Sequence, residues 1–258
     1  MIARTAGNDS VAAASAAPAR AAGTFDIRTQ DCIDFLRGLP AASVDLIITD
    51  PAYSGMNRHL RFGHGRIVGH YGKPDNQRWF PEFSDDPESY AVFLGECQRV
   101  LRQDRHIYIM FDSFSMLSLG ALVREFFDVK GVVVWDKVNL GMGHYFRRRH
   151  EQIVFASKGR RKLSRRDLPD VWAVPRLHRA AYPTQKPVKL FEHMVQASAE
   201  PGFLVCDPFC GSGSSGIAAL LSGCDYIGAD IDVRAVDLAE QRLSGFVATG
   251  QDPLEPAR

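Results

Sequence analysis

The sequence predicts an α/β fold, a mostly parallel sheet covered by helices on both faces. Two observations predict it. Short unbroken runs of Val, Ile and Leu alternate with stretches of helical spacing, and strands buried on both faces read as such runs. Gly211, Gly213 and Gly216 follow one of these runs and open a helical stretch, an arrangement that places a ligand at a strand end.

Taken in order, a short helix is predicted over 31–38 and a strand over 44–49 (VDLIIT). Tyr90, Phe93, Leu94, Cys97 and Leu101 recur at helical spacing and predict a helix over 88–101. Strands are expected at 106–111, 132–135 and 152–157, with helices over 115–127 and 187–198. The run at 203–207, a helix near 213–222, a strand at 226–230 and a helix near 233–243 form a βαβα unit. Two segments break the rhythm, 54–86 (rich in Gly, His and Arg) and 137–182 (basic and turn-rich). Loops of that length in a compact chain usually carry function.

A chain of 258 residues suits one α/β domain of the larger kind. Its expected limits are 24–246, with the Ala-rich 1–23 a disordered tail and 247–258 a C-terminal tail. No apolar run approaches the roughly 18 residues that span a bilayer, and 1–23 lacks the continuous apolar core of a secretory signal. Five scattered cysteines, an odd number, predict reduced packed thiols in a cytoplasmic protein. No His/Cys/Asp cluster has metal-ligand spacing, so no metal is expected.

The string Asp207-Pro208-Phe209-Cys210-Gly211-Ser212-Gly213 precedes Gly216. Such a loop permits a tight turn and close approach of a ligand to backbone N–H groups. Asp230 closes the next strand, where a carboxylate can accept from ribose hydroxyls. The pattern indicates a nucleoside-bearing cofactor without choosing between NAD and S-adenosylmethionine. An acid at the head of the loop, next to where phosphates would sit, argues against a pyrophosphate.

Asp50-Pro51-Ala52-Tyr53 directly follows the strand at 44–49. This turn suits methyl transfer to a base amine. The lone pair of that nitrogen is delocalised into the ring. Two acceptors gripping its two hydrogens, the Asp50 carboxylate and the Pro51 carbonyl, would free the pair. Proline stiffens the turn, and Tyr53 can stack on a base extruded from the duplex.

These motifs resemble those of the β-group, circularly permuted DNA amino-methyltransferases, in which the catalytic turn precedes the cofactor loop. Tyr182-Pro183-Thr184-Gln185-Lys186-Pro187 and Trp135-Asp136-Lys137-Val138-Asn139 also look like segments of that family. The resemblance covers about residues 25–245. It implies a Rossmann-like methyltransferase fold with a seven-stranded sheet and one antiparallel strand, and S-adenosylmethionine as cofactor. It places Asp31 with Cys32 near the adenine moiety, Asp230 with Ile231 at the ribose, and Thr184, Gln185 and Lys186 at the methionine end, Lys186 facing the carboxylate. Asp207, Pro208, Phe209, Gly211, Ser212 and Gly213 would complete that site. Ala52 departs from the usual second proline. The leading Asp resembles the adenine-modifying branch; cytosine amine, RNA and protein glutamine remain open as substrates. A nucleotide-dependent oxidoreductase would leave Asp50 and Tyr53 without a role, and the intact motifs argue against a DNA-binding regulator with a decayed site.

Net charge is only +1, from 31 basic and 30 acidic residues, so bulk charge names no partner. Its distribution does. Lys137, Arg147, Arg148, Arg149, Arg160 and Arg161 fall in one irregular segment, and Arg58, Arg61 and Lys73 in the other. These are the expected double-stranded DNA contacts. The family also raises a homodimer and a cognate restriction endonuclease as partners.

Overall fold

The computed structural model describes residues 23–51, 86–141, 146–165, 167–178, 180–182 and 184–255. Tyr53, Arg58, Arg61, Lys73 and nearly all of the 1–23 tail lie outside the described residues.

Eight strands form one sheet in the order β1-β8-β7-β2-β3-β5-β4-β6. The strands are β1 (Phe25–Thr29), β2 (Val44–Thr49), β3 (Leu101–Phe111), β4 (Asp128–Asp136), β5 (His150–Lys158), β6 (Val171–Ala173), β7 (Leu204–Asp207) and β8 (Asp225–Asp230). β5 runs antiparallel to both β3 and β4, and every other pairing is parallel. Among the described residues the single antiparallel strand is as expected, but the count is eight, not seven. β1 and β6 are the strands that apolar runs did not reveal. β1 alternates half-buried and exposed positions at the sheet edge, and β6 is three residues long with only Trp172 buried.

Helices α1 (Cys32–Arg37), α2 (Pro87–Val100), α3 (Ser113–Leu119) and α4 (Val123–Phe126) join α5 (Val188–Ser198), α6 (Ser214–Leu221) and α7 (Val233–Thr249). The helix expected over 115–127 is broken by a 3₁₀ turn at Gly120–Leu122. α7 runs to Thr249, beyond the domain end at 246, and residues 250–255 fold back on it through Arg242.

The core has two layers. Phe35, Leu36, Tyr90, Phe93, Leu94 and Leu119 from α1, α2 and α3 cover one sheet face. Leu190, Phe191, Met194, Ile217, Ala218 and Leu243 from α5, α6 and α7 cover the other. β2 is buried along its whole length, as a central strand covered on both faces must be. All five cysteines are free and buried, in line with the expectation.

The topology locates a ligand site. From β2 the chain proceeds outward to β3, whereas from β7 it proceeds the other way to β8, with β1 beyond it at the edge. β2 and β7 are neighbours, paired Leu46 to Val205 and Ile47 to Cys206. The order reverses between them, and beyond the carboxyl ends of two such strands an open α/β sheet has its crevice.

Candidate functional site

A cavity lies at that reversal. Asp50 and Pro51 at the end of β2, and Asp207, Pro208, Phe209, Cys210, Gly211, Ser212 and Ser214 after β7, line it. Asp31 and Cys32 open α1, Asp230, Ile231 and Asp232 end β8, and Tyr182, Thr184, Gln185, Lys186 and Phe191 complete the wall. The structure therefore gathers residues from five separate stretches of sequence. Of the described residues expected at the site, Gly213 alone does not line the cavity. Tyr182, Phe191, Cys210, Ser214 and Asp232 line it without having been singled out. Their signal was adjacency to the motifs, except for Phe191, which lies on α5.

The glycines hold the loop's shape. Gly213 has φ +76°, a left-handed conformation that glycine adopts without steric cost. It caps α6, and its N–H donates to the Cys210 carbonyl at 2.8 Å. At Gly216 a side chain would meet the Tyr226 ring at 2.9 Å and Leu243 at 3.0 Å, so helix and sheet can approach only because it is absent.

Two carboxylates tie the loop in place. Asp207 accepts from Ser215 Oγ at 2.5 Å and from the Phe209 N–H at 3.0 Å. Burial lifts its carboxyl to about 7, against the opposing effect of both hydrogen bonds. Asp230 accepts from the Gly211 N–H at 3.0 Å and the Asp232 N–H at 2.9 Å, and burial raises it as well. Asp31 is the N-cap of α1, accepting from the Ile33 N–H at 2.9 Å, so a structural job accompanies its place at the cavity wall. A T-shaped contact with Phe93, ring centroids 5.6 Å apart, fixes the Phe209 ring.

Lys186 Nζ donates to Asp50 Oδ2, and Lys137 Nζ donates to Glu151 Oε1. Burial pushes the Asp50 carboxyl up, with Lys186 opposing it. Burial works against charge on Lys186, but Asp50 and then Glu151 outweigh it and raise its pKa. Glu151, at the start of β5, shifts down: burial is outweighed by Lys186 and Lys137. The order Asp50, Lys186, Glu151, Lys137 alternates in sign where the carboxyl ends of β2 and β4 meet the amino end of β5.

The donor set fits S-adenosylmethionine. Pro208, Phe209, Cys32 and Ile231 offer apolar surface for a nucleoside, and Asp230 is an acceptor at a strand end. Gln185 Oε1 is buried without a hydrogen-bond partner, an acceptor suited to a ligand N–H or O–H. Lys186 is the one cation among the described lining residues.

The basic residues divide between the two ends of β5. Arg147, Arg148 and Arg149 are exposed just before β5, whose first residue pairs with Asp136 at the carboxyl end of β4. That is the cavity's edge. Arg149 pairs with Asp136 at 2.6 Å, and the Arg148 guanidinium sits 5.2 Å from the Phe114 ring centroid. Arg160 and Arg161 require correction. They follow Lys158, which pairs with Arg105 near the opposite end of β3, so β5 separates them from the site. Arg161 is held by Glu200 at 2.6 Å, and the Arg160 backbone N–H donates to Asp104. Neither belongs to a nucleic-acid face around this cavity.

Comparisons agree with this geometry. Residues 44–241 match the N6_N4_Mtase family model, described as DNA methylase. The type II methyltransferase M2.MboI of Moraxella bovis is 26% identical over 243 residues, covering 84% of this chain and 87% of that protein. The crystal structure of the M1.HpyAVI–SAM complex superposes with a TM-score of 0.61 at 19% identity, covering 85% of this chain and all of the other. PvuII DNA methyltransferase, titled cytosine-N4-specific, gives 0.64 at 16% identity, covering 89% and 94%. The family model spans both strand ends that build the cavity, and the chain belongs to the DNA methylase family.

Proposed function

We propose that this chain transfers a methyl group from S-adenosylmethionine to the exocyclic N-6 amine of adenine in a base flipped out of double-stranded DNA. The observation that carries the reading is the meeting of Asp50 and Pro51 with the 207–214 loop in one cavity at the strand-order reversal. The cofactor supplies an electrophilic methyl on a cationic sulfur. The chain's own groups do the rest. The Asp50 carboxylate and the Pro51 carbonyl accept the two amine hydrogens, drawing the nitrogen toward tetrahedral geometry. Tyr53 stacks on the extruded base. Asp31, Cys32, Asp230 and Ile231 hold the nucleoside end, while Thr184, Gln185 and Lys186 hold the amino-acid end. Arg147, Arg148 and Arg149, with Arg58, Arg61 and Lys73, bind phosphates and position the duplex, whereas Lys137 is taken up by Glu151.

A second reading, transfer to the N-4 amine of cytosine, is favoured by the superposition on the PvuII enzyme. The leading Asp of the 50–53 turn favours adenine. Labelled methyl from S-adenosylmethionine offered to unmethylated bacterial genomic DNA, followed by nucleoside mass analysis, separates them. Label in N-6-methyl-2′-deoxyadenosine is expected. Label in N-4-methylcytosine would keep the mechanism and change the base, and cofactor binding without label in DNA would move the substrate to RNA or protein glutamine. Asp50→Ala should abolish transfer and retain cofactor binding; full activity in that variant would overturn the assigned role.

A further inference from the structure

Two separate tasks converge on one ammonium. Lys186 Nζ donates to Asp50 Oδ2, the carboxylate assigned to grip the amine. Lys186 is also the one cation among the described residues lining the cavity, beside the carboxylates of Asp31, Asp50, Asp207, Asp230 and Asp232. The cofactor in the reading above carries a carboxylate of its own. Surrounded by like charge, that group has a single ion-pair partner available in the described wall.

The neighbouring charges make the competition specific. Glu151 also faces Lys186, but Lys137 already neutralises it. Asp207 is taken up by Ser215 and the Phe209 N–H. Asp50 is thus the acceptor that loses when Lys186 turns to another anion. A carboxylate bearing an ammonium is a weaker acceptor than a bare one, because the cation cancels the negative potential that an amine N–H would feel.

We propose that Lys186 is a positioning residue shared between Asp50 and the cofactor carboxylate, so that holding the cofactor releases Asp50 to capture the target amine. The inference rests on the proposed function and adds a coupling to it: the cofactor held by Lys186 and the amine gripped by Asp50 favour each other. Such coupling is reciprocal: capture of the amine by Asp50 strengthens cofactor binding by the same factor by which the cofactor strengthens capture.

The test compares two probes, S-adenosylhomocysteine, which has the carboxylate, and 5′-methylthioadenosine, which lacks it. Dissociation constants are measured by calorimetry for wild type, Asp50→Asn, Lys186→Met and the double variant. Asp50→Asn should tighten S-adenosylhomocysteine by about tenfold, within the usual range for coupled sites, and leave 5′-methylthioadenosine unchanged. On the Lys186→Met background the same substitution should have no effect. An equal response of both probes, or a gain that persists without Lys186, overturns the proposal; the latter would mean that Asp50 acts by direct repulsion. A second measurement needs only wild type. S-adenosylhomocysteine should strengthen binding of unmethylated genomic DNA fragments, 5′-methylthioadenosine should not, and equal effects would overturn the coupling. Failure of both probes to bind wild type would instead strike at the function reading itself.

Discussion

Arg242 offers the sharpest test of how the cavity is held in shape. It sits in α7 at a core position, its side chain fully buried. Its guanidinium forks onto Asp252 at 2.8 and 2.6 Å, reaches Glu255 at 3.3 Å, and donates to the Ser212 carbonyl at 3.0 Å and Ser214 Oγ at 2.9 Å. Glu255 in turn accepts from the Val188 N–H at 3.3 Å. One side chain therefore ties the C-terminal segment to the glycine loop and, through Glu255, to the start of α5. Removing one partner of a buried pair costs about 3 kcal/mol or more, because the other charge stays buried without it. Asp252 is itself only 8% exposed, so solvent would screen little of that cost. At roughly 2–4 °C per kcal/mol for a domain of this size, Arg242→Ala should lower Tm by about 6–12 °C in calorimetry. Binding of S-adenosylhomocysteine should weaken too, since Ser212 and Ser214 line the cavity. Replacing the cluster with apolar or neutral groups, Arg242→Met with Asp252→Leu and Glu255→Gln, should recover most of the loss. An Arg242→Ala protein melting within about 2 °C of wild type would refute the reasoning.

Asp207→Asn tests burial of charge at the loop. The folded-state carboxyl titrates near 7 because of burial, against about 4 in an unfolded chain. Wild-type stability therefore falls as pH rises from about 4 to about 7. The Tm advantage of Asn should grow across that window and level off above it, and a pH-independent difference would contradict the assignment. At the other end of the sheet, Asp45 is buried, which raises its carboxyl, but the Leu204 N–H, Arg102 and Arg105 more than offset that and leave it below the ordinary value. Its contribution is present above the ordinary carboxylate range and lost as pH falls through the lower folded value. Asp45→Asn should cost about 2 kcal/mol near neutral pH and little in strong acid by equilibrium denaturation; an equal cost at both would be inconsistent. Reversing Arg147, Arg148 and Arg149 to Glu should weaken DNA binding and flatten its salt dependence, while Arg161→Glu should leave both unchanged. Equal losses from the two variants would undo the division between the two ends of β5.

Most of the cavity could be read from the sequence because its residues sit next to strand ends, and strand ends are marked by unbroken apolar runs. Asp50 follows VDLIIT and Asp207 ends FLVCD, so each motif fixed its own place at the rim. Edge strands gave no such mark. β1 carries polar residues on its open side, and β6 is too short for periodicity to register. Arg242 escaped notice for the opposite reason. Its spacing from Ala239 and Phe246 is that of a core position, but an arginine there reads as solvent-facing unless its acidic partners ten and thirteen residues on are weighed with it.

The basic segment shows where adjacency in sequence misleads. Arg147, Arg148 and Arg149 lie eleven or more residues from Arg160, and β5 (His150–Lys158) runs between the two groups. At about 3.3 Å per residue, nine residues carry the chain roughly 30 Å, the depth of the sheet. A strand reverses which end of the sheet the chain occupies, so two clusters flanking one strand cannot share a face around one strand-end cavity. Charge pattern alone therefore joins two groups that the antiparallel register Arg105 to Lys158 sets at opposite ends of β5. The strand at 152–157 is legible in the sequence, and it carries Arg160 and Arg161 to the far end, where Asp104 and Glu200 hold them.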